Sequence, residues 1–366
     1  MSDDREDLRD AVRAFLTARS PAGAVRELME SGAGYDAGVW RELTAGLGLA
    51  GIAVPEEFGG AGAGMPELAV VFEEMGAALL CAPFLATTLA TQALLHSGDR
   101  AAMGALLPGL VDGSTTATLI LNGTLDPWQP SAVTLAARKT AGGYRIRGTA
   151  PMVLDGHTAD VVLLAARTDA GVALFSVRGA ADGLGRVPLA GLDRTRKIAR
   201  LEFDDVAADL IGSDGEADAA LQRTSDLALI ALSAEQVGSA QRCLDMAVAY
   251  AKSRIQFGRA IGSFQAVKHR CADMLVLVEG ARSAASHAAG AADTPEASTA
   301  ASVAKLACSE ALLQNATDNM RIHGGIGFTW EHDAHLYLRR AKAGQLMFGS
   351  PGYHAQRLAD LVSPRA

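Results

Sequence analysis

The sequence predicts an α+β chain of several domains, and three observations carry that expectation. Its 366 residues exceed what one hydrophobic core usually serves. Stretches with helical periodicity flank a central stretch of short β-branched runs, so helices and strands occupy separate zones instead of alternating as they do around a parallel sheet. Apolar residues make up 49% and charged residues 20%, the balance of a globular protein.

The first zone, 1–112, is expected to be helical. EDLRDAVRAFLTA and ELAVVFEEMGAALL place apolar residues along one helix face, and PEEFGGAGAG breaks the chain between them. The second zone, 113–216, changes character. ATLIL, AVTLAA, YRIRG, ADVVLLAA and VALFSV are separated by Gly and Asp clusters, as in a small all-β domain. The third zone, 217–366, returns to helix: Leu227, Ile230, Ala234, Val237, Ala240 and Leu244 recur at i, i+3, i+4 spacing. DTPEA offers a further helix start, with Thr294 as N-cap and Pro295 at the first helical position.

Several function classes drop out. A net charge of −8, with no basic stripe, argues against a nucleic-acid partner. MSDDREDLRD lacks the basic start and apolar run of a signal peptide, and no stretch has the roughly eighteen apolar residues of a membrane span. A cytoplasmic chain is therefore expected. Cys81, Cys243, Cys271 and Cys308 form no CxxC pair and are expected as reduced, buried thiols. There is no Gly-x-Gly-x-x-Gly after a strand, no phosphate-binding P-loop and no serine nucleophile elbow. His332 and His335 lie one turn apart with His323 nearby, but without an HExxH pattern hydrogen-bonding imidazoles are expected rather than a metal.

Two stretches resist a purely structural account. RIHGGIGFTW, 321–330, sets Gly324, Gly325 and Gly327 between two helical patterns, although each glycine weakens a helix by roughly 1 kcal/mol relative to alanine. Such clusters mark places where backbone comes close to something. AKSRIQFGRAIGSFQAVKHRCADM, 251–274, gathers Arg254, Gln256, Arg259, Gln265, Lys268 and His269 around Phe257, Gly258 and Phe264 at a helix junction. Its arginines suit a pyrophosphate and its aromatics a flat ring; an ordinary interhelical turn with surface charges is the alternative.

RIQFGRAIGSFQAVKH, with RIHGGIGFTWEHDAHLYLRRAK, resembles the acyl-CoA dehydrogenases, flavoproteins that desaturate acyl thioesters. WRELTAGLGLAGIAVPEEFGGAG, 40–62, resembles that family's opening segment. The resemblance spans nearly the whole chain. It implies a helical domain, a β-barrel-like domain and a helical bundle, with FAD as cofactor, an acyl-CoA substrate and electron-transfer flavoprotein as acceptor. By position it implies that Arg254, Ile255, Gln256, Phe257, Phe264 and Gln265, with Arg321, Ile322, His323, Gly324 and Gly325, hold the dinucleotide arm of an FAD shared between two chains. The partner is then a second copy or a second family chain, in a dimer of dimers.

The flavin end departs from the family's pattern. Asn122, Gly123 and Thr124 stand where Thr-Glu-Pro is usual, and Met152, Val153 and Leu154 replace Trp-Ile-Thr. The usual base positions hold Phe348 and Ala228, neither of which can take a proton. Asp226 and Glu235 are the carboxylates that a shift along the same helix offers. Asp226 is otherwise read as a charge favoured by the helix N-terminus, and Glu235 as a buried or interface carboxylate with a partner. The loss of these features together points to the base-lacking subunit of a heteromeric acyl-CoA dehydrogenase. A self-sufficient dehydrogenase with a shifted base, or a flavin oxidase or monooxygenase on the same fold, are the alternatives.

Overall fold

A computed structural model describes residues 3–362. The described residues contain eleven α-helices, seven strands of one sheet and a two-strand hairpin near residue 257. The chain forms two compact units, one comprising Arg26–Gly64 and Cys81–Ala228, the other Met1–Val25, Met65–Leu80 and Leu229–Ala366.

The first unit is built on a barrel. Strands β1 (Ala117–Ile120), β2 (Ala136–Thr140), β3 (Gly143–Leu154), β4 (Val161–Arg167), β5 (Val172–Arg178), β6 (Leu184–Leu189) and β7 (Ile198–Ile211) pair so that β4, β2, β3, β7 and β5 close a ring. β1 adds beside β4 and β6 beside β7. Closure removes exposed strand edges around that ring. The run VVLLAA has the composition of a strand covered on both faces. Val162, Leu164 and Ala166 point into one core with Ile146, Phe175 and Val206, while Leu163 and Ala165 join a second core with Ala90, Leu94 and Leu107. The last three lie on α5 (Phe84–Ser97) and α6 (Arg100–Val111), which cover the outer face of the sheet. AVTLAA is strand only at its end; a short 3-10 turn, Pro130–Ala132, precedes it.

The second unit is helical. It is made of α1 (Asp3–Arg19), α4 (Met65–Ala77), the part of α7 (Asp218–Ser253) from Leu229 onward, α8 (Gln265–Gly290), α9 (Ala297–His323), α10 (Ala334–Leu346) and α11 (Pro351–Val362). Two glycines let α4 and α7 touch. A Cβ on Gly238 would lie 1.7 Å from the Glu73 carbonyl oxygen, and one on Gly76 would lie 2.0 Å from that of Glu235. The small residues of these helices therefore serve close packing at this crossing. Lys305, fully buried on α9, donates from Nζ to the Gly344 carbonyl at 2.6 Å, satisfying the C-terminal end of α10. α9 starts at Ala297, later than DTPEA suggested. The Thr294 hydroxyl accepts the Glu296 N–H at 3.2 Å and so shapes the turn before the helix.

The four cysteines are free thiols; Cys81, Cys243 and Cys308 are buried and Cys271 is partly exposed. Burial pushes the Cys308 thiol up to about 12, which leaves it inert. Among the described residues no helix is long and apolar enough to cross a membrane.

Candidate functional site

α7 ends at Ser253, and at this helix junction the chain makes a hairpin that no turn motif in the sequence announces. β8 (Ile255–Gln256) pairs with β9 (Arg259–Ala260), and Phe257 and Gly258 turn the corner with φ of +53° and +75°. Positive φ at both corner residues defines a tight two-residue turn that Asn-Gly usually supplies. A phenylalanine in that role, 91% exposed, stands out. Its ring meets Phe264 edge-on at 6.1 Å, and the Arg259 guanidinium lies 4.1 Å over the Phe264 ring. Arg254, Ile255, Gln256 and Gln265 are all exposed. Among the described residues no carboxylate lies within ion-pair distance of Arg254, Arg259 or Lys268. The hairpin thus carries spare positive charge on an acidic chain.

At the other stretch α9 stops at His323. Gly324, with φ +65° and ψ −141°, ends the helix in a conformation that side chains resist, and a 3-10 turn runs Gly324–Phe328. A Cβ on Gly324 or Gly325 would meet nothing within 4 Å, so bare backbone faces outward there. Gly327 differs: its Cβ would press on Met320 and His323 at 3.0 Å, so this glycine serves packing against its own helix. Arg321 is paired with Asp318 at 3.2 Å, a carboxylate that also takes Arg270 and the Gln314 amide. Ile322 is buried.

The two stretches come together through a residue that sequence reasoning missed. Tyr250, one turn before Arg254, stacks on His323 with ring centroids 4.4 Å apart, and His332 lies on His323 at 4.3 Å. Its spacing from Arg254 was the available signal. His323 Nδ1 donates to the Asn319 carbonyl at 2.8 Å, and burial holds this imidazole below its ordinary value, with the nearby His332 adding to the effect. His332 Nδ1 accepts the Ala334 N–H at 3.1 Å, and His335 shares a hydrogen bond with the Trp330 carbonyl. These imidazoles are engaged in the turn.

In the barrel unit, the positions of the family's flavin motifs are neighbours. The Met152 N–H donates to the Gly123 carbonyl at 3.1 Å. Their side chains are otherwise occupied: the Asn122 amide donates to Pro127 at 2.8 Å and the Thr124 hydroxyl to Asp126 at 2.7 Å. Met152 is exposed, while Val153 and Leu154 are buried.

Phe348 and Ala228 are buried. Phe348 adopts φ +57° between α10 and α11, and its carbonyl is bonded by His354 Nε2 at 2.9 Å. Glu235 forms a buried ion pair with Arg340, so its reading as a paired carboxylate describes its surroundings. Asp226 needs a correction. α7 begins at Asp218, which puts Asp226 in the third turn, beyond the reach of the helix N-terminus. It is buried and takes the Gln222 amide at 3.4 Å.

Family models for the acyl-CoA dehydrogenase N-terminal and C-terminal domains match residues 2–114 and 220–362. The acyl-CoA dehydrogenase IpdE2 of Mycobacterium tuberculosis is 38% identical over 360 residues, 98% of each chain. Among solved structures, a variant of the Tcur3481-Tcur3483 steroid ACAD is 33% identical with a TM-score of 0.88 over 98% of each chain. The ChsE4-ChsE5 complex from Mycobacterium tuberculosis is 29% identical, with a TM-score of 0.90 over 100% of this chain and 99% of that one. The helical and barrel architecture with these matches defines a flavin-dependent oxidoreductase fold. The chain belongs to the acyl-CoA dehydrogenase family, whose members depend on FAD.

Proposed function

We propose that this chain is the base-lacking subunit of a heteromeric acyl-CoA dehydrogenase, holding the dinucleotide arm of an FAD whose flavin ring is served by a partner chain. The carrying observation is the contrast between its two kinds of site. Where the dinucleotide arm is expected, Arg254 and Arg259 have no carboxylate partner among the described residues, the backbone at Gly324 and Gly325 faces open space, and the Tyr250–His323 stack joins the two helix ends, which fits a pyrophosphate and its ribose. Where the flavin ring is expected, Asn122 and Leu154 stand in place of threonines and the Thr124 hydroxyl is turned to Asp126, so the motif positions offer the ring no hydroxyl donor.

The binding residues are then Arg254, Ile255, Gln256, Phe257, Phe264 and Gln265, with Arg321, Ile322, His323, Gly324 and Gly325. Arg254 balances phosphate charge, Gly324 and Gly325 admit the cofactor to the main chain, and Phe264 supplies a flat apolar wall already faced by Arg259. Exposed Ile255, Phe257, Ile326, Phe328 and Trp330 around the same segments suit burial against another chain. Bound FAD supplies the hydride acceptor for α,β-desaturation of an acyl thioester; the base is the partner's to provide. Two solved relatives carry paired names, ChsE4-ChsE5 and Tcur3481-Tcur3483, which supports a heteromer. The second is called a steroid ACAD, so a thioester bearing a bulky ring system is the first substrate to try, in the cytoplasm and with electron-transfer flavoprotein as acceptor.

A second reading rests on Asp226, a carboxylate 2% exposed on α7 two residues before the alternative base position. There it serves as a shifted base in a self-sufficient enzyme. Acyl-CoA oxidation by this chain alone and mixed with a second family chain separates the two. Turnover confined to the mixture, and insensitive to Asp226→Asn, is the expected result. Turnover by this chain alone, lost in Asp226→Asn, overturns the proposal.

A further inference from the structure

We infer that Tyr250 is a positioning residue for the dinucleotide arm, its ring clasping the Gly324–Gly325 turn to the end of α7 that carries Arg254 and Gln256. The inference rests on the shared-site reading above and adds a residue that is not among the binding residues named there. Both segments sit at helix ends, where backbone frays unless something ties it down. α9 is tied to α7 further back: the Asn315 amide donates to the Ala240 carbonyl at 3.3 Å, and the Asn319 amide approaches Met246 Sδ at 4.0 Å. Tyr250 on His323, at 4.4 Å and 29° between planes, carries this seam to the last turn of both helices.

His323 is held from three directions. Its Nδ1 is bonded to the Asn319 carbonyl, Tyr250 covers one ring contact and His332 another at 4.3 Å and 49°. The residue that follows is Gly324, so the position of the His323 ring fixes where the bare backbone begins. On the other side, Arg254 N–H bonds to the Tyr250 carbonyl at 2.8 Å, so the tyrosine and the arginine move as one helical turn. Tyr250 itself is only partly buried, so its ring lies at the edge of the helical unit. The stack sets the spacing between the guanidinium group and the glycine amides, a spacing that a dinucleotide bridging them requires.

The test compares wild type, Tyr250→Phe and Tyr250→Ala by two readouts: amide hydrogen exchange of the cofactor-free chain over residues 321–328, and FAD affinity of the chain with its partner. Tyr250→Ala should speed exchange in that segment severalfold and weaken FAD by roughly tenfold, and Tyr250→Phe should restore both. Unchanged exchange in Tyr250→Ala overturns the clasp. Faster exchange with unaltered FAD affinity also overturns it, because the stack then serves the fold alone. A wild-type chain that takes no FAD with any partner defeats the shared-site reading instead, and the exchange data still decide whether Tyr250 holds the turn.

Discussion

Replacing Arg340 by leucine should cost the helical unit about 3–5 kcal/mol, the usual penalty for leaving one member of a buried ion pair without the other. The side chains of Arg340 and Glu235 are 4% and 7% exposed, so water cannot take over the lost partner. Nor can α7 shift to expose the carboxylate, because α4 lies against it: the Gly76 position is already 2.9 Å from Glu235 Cγ when a Cβ is added. Replacing both residues, Glu235→Leu with Arg340→Leu, removes the stranded charge and should recover most of the loss. Urea unfolding of wild type, both single variants and the double variant measures this. With an m-value of about 3 kcal/mol/M, the Arg340→Leu midpoint falls by roughly 1–1.7 M. A loss under about 1 kcal/mol, or a double variant no more stable than the single ones, refutes the reasoning. It would also reopen Glu235 as a base, since a carboxylate that tolerates the loss of its arginine is not committed to it.

Three further outcomes follow from the same structure. Gly325→Ala should leave the melting temperature of the cofactor-free chain unchanged, since its Cβ meets nothing within 4 Å, yet weaken FAD binding; Gly324→Ala should do both harms, because its φ is +65°. Calorimetry and flavin titration separate the two. Gly238→Ala forces a methyl to within 1.7 Å of the Glu73 carbonyl and should destabilise the helical unit by about 1–3 kcal/mol or more, read by urea unfolding. For His323, whose folded value lies below the ordinary imidazole value, the unfolded chain binds the proton more readily. Its contribution to stability is therefore full above about pH 6.5 and declines as pH falls from there toward the folded value. The groups around it are Tyr250, His332 and the Asn319 carbonyl. An NMR titration showing His323 at or above the ordinary value contradicts this.

Much of the architecture was legible because periodicity reports burial directly. VVLLAA marked a strand, and the spacing of Leu227 to Leu244 marked a helix, although residues 224–240 prove to be buried on every side and not along one face alone. Turn chemistry was harder to read. Phe257-Gly258 makes a corner that Asn-Gly would have announced, and propensity alone does not reveal a phenylalanine at φ +53°. Asp226 was read as a charge at a helix N-terminus, but α7 begins at Asp218 and carries it in the third turn. The glycine cluster split into two roles only in three dimensions: Gly327 yields to Met320, while Gly324 and Gly325 face open space. Partners far apart in sequence, such as Arg340 for Glu235 or Tyr250 for His323, leave no local pattern because the fold alone brings them together.

The central claim is that this chain grips half of an FAD and that another chain must supply the rest. Flavin stoichiometry measures it most directly: the chain is purified alone and with a second family chain, and FAD is counted per polypeptide by absorbance. The account predicts a colourless chain alone and one FAD per pair of chains in the complex, lost when Arg254 is replaced by alanine. One tightly bound FAD on every copy of this chain by itself contradicts it.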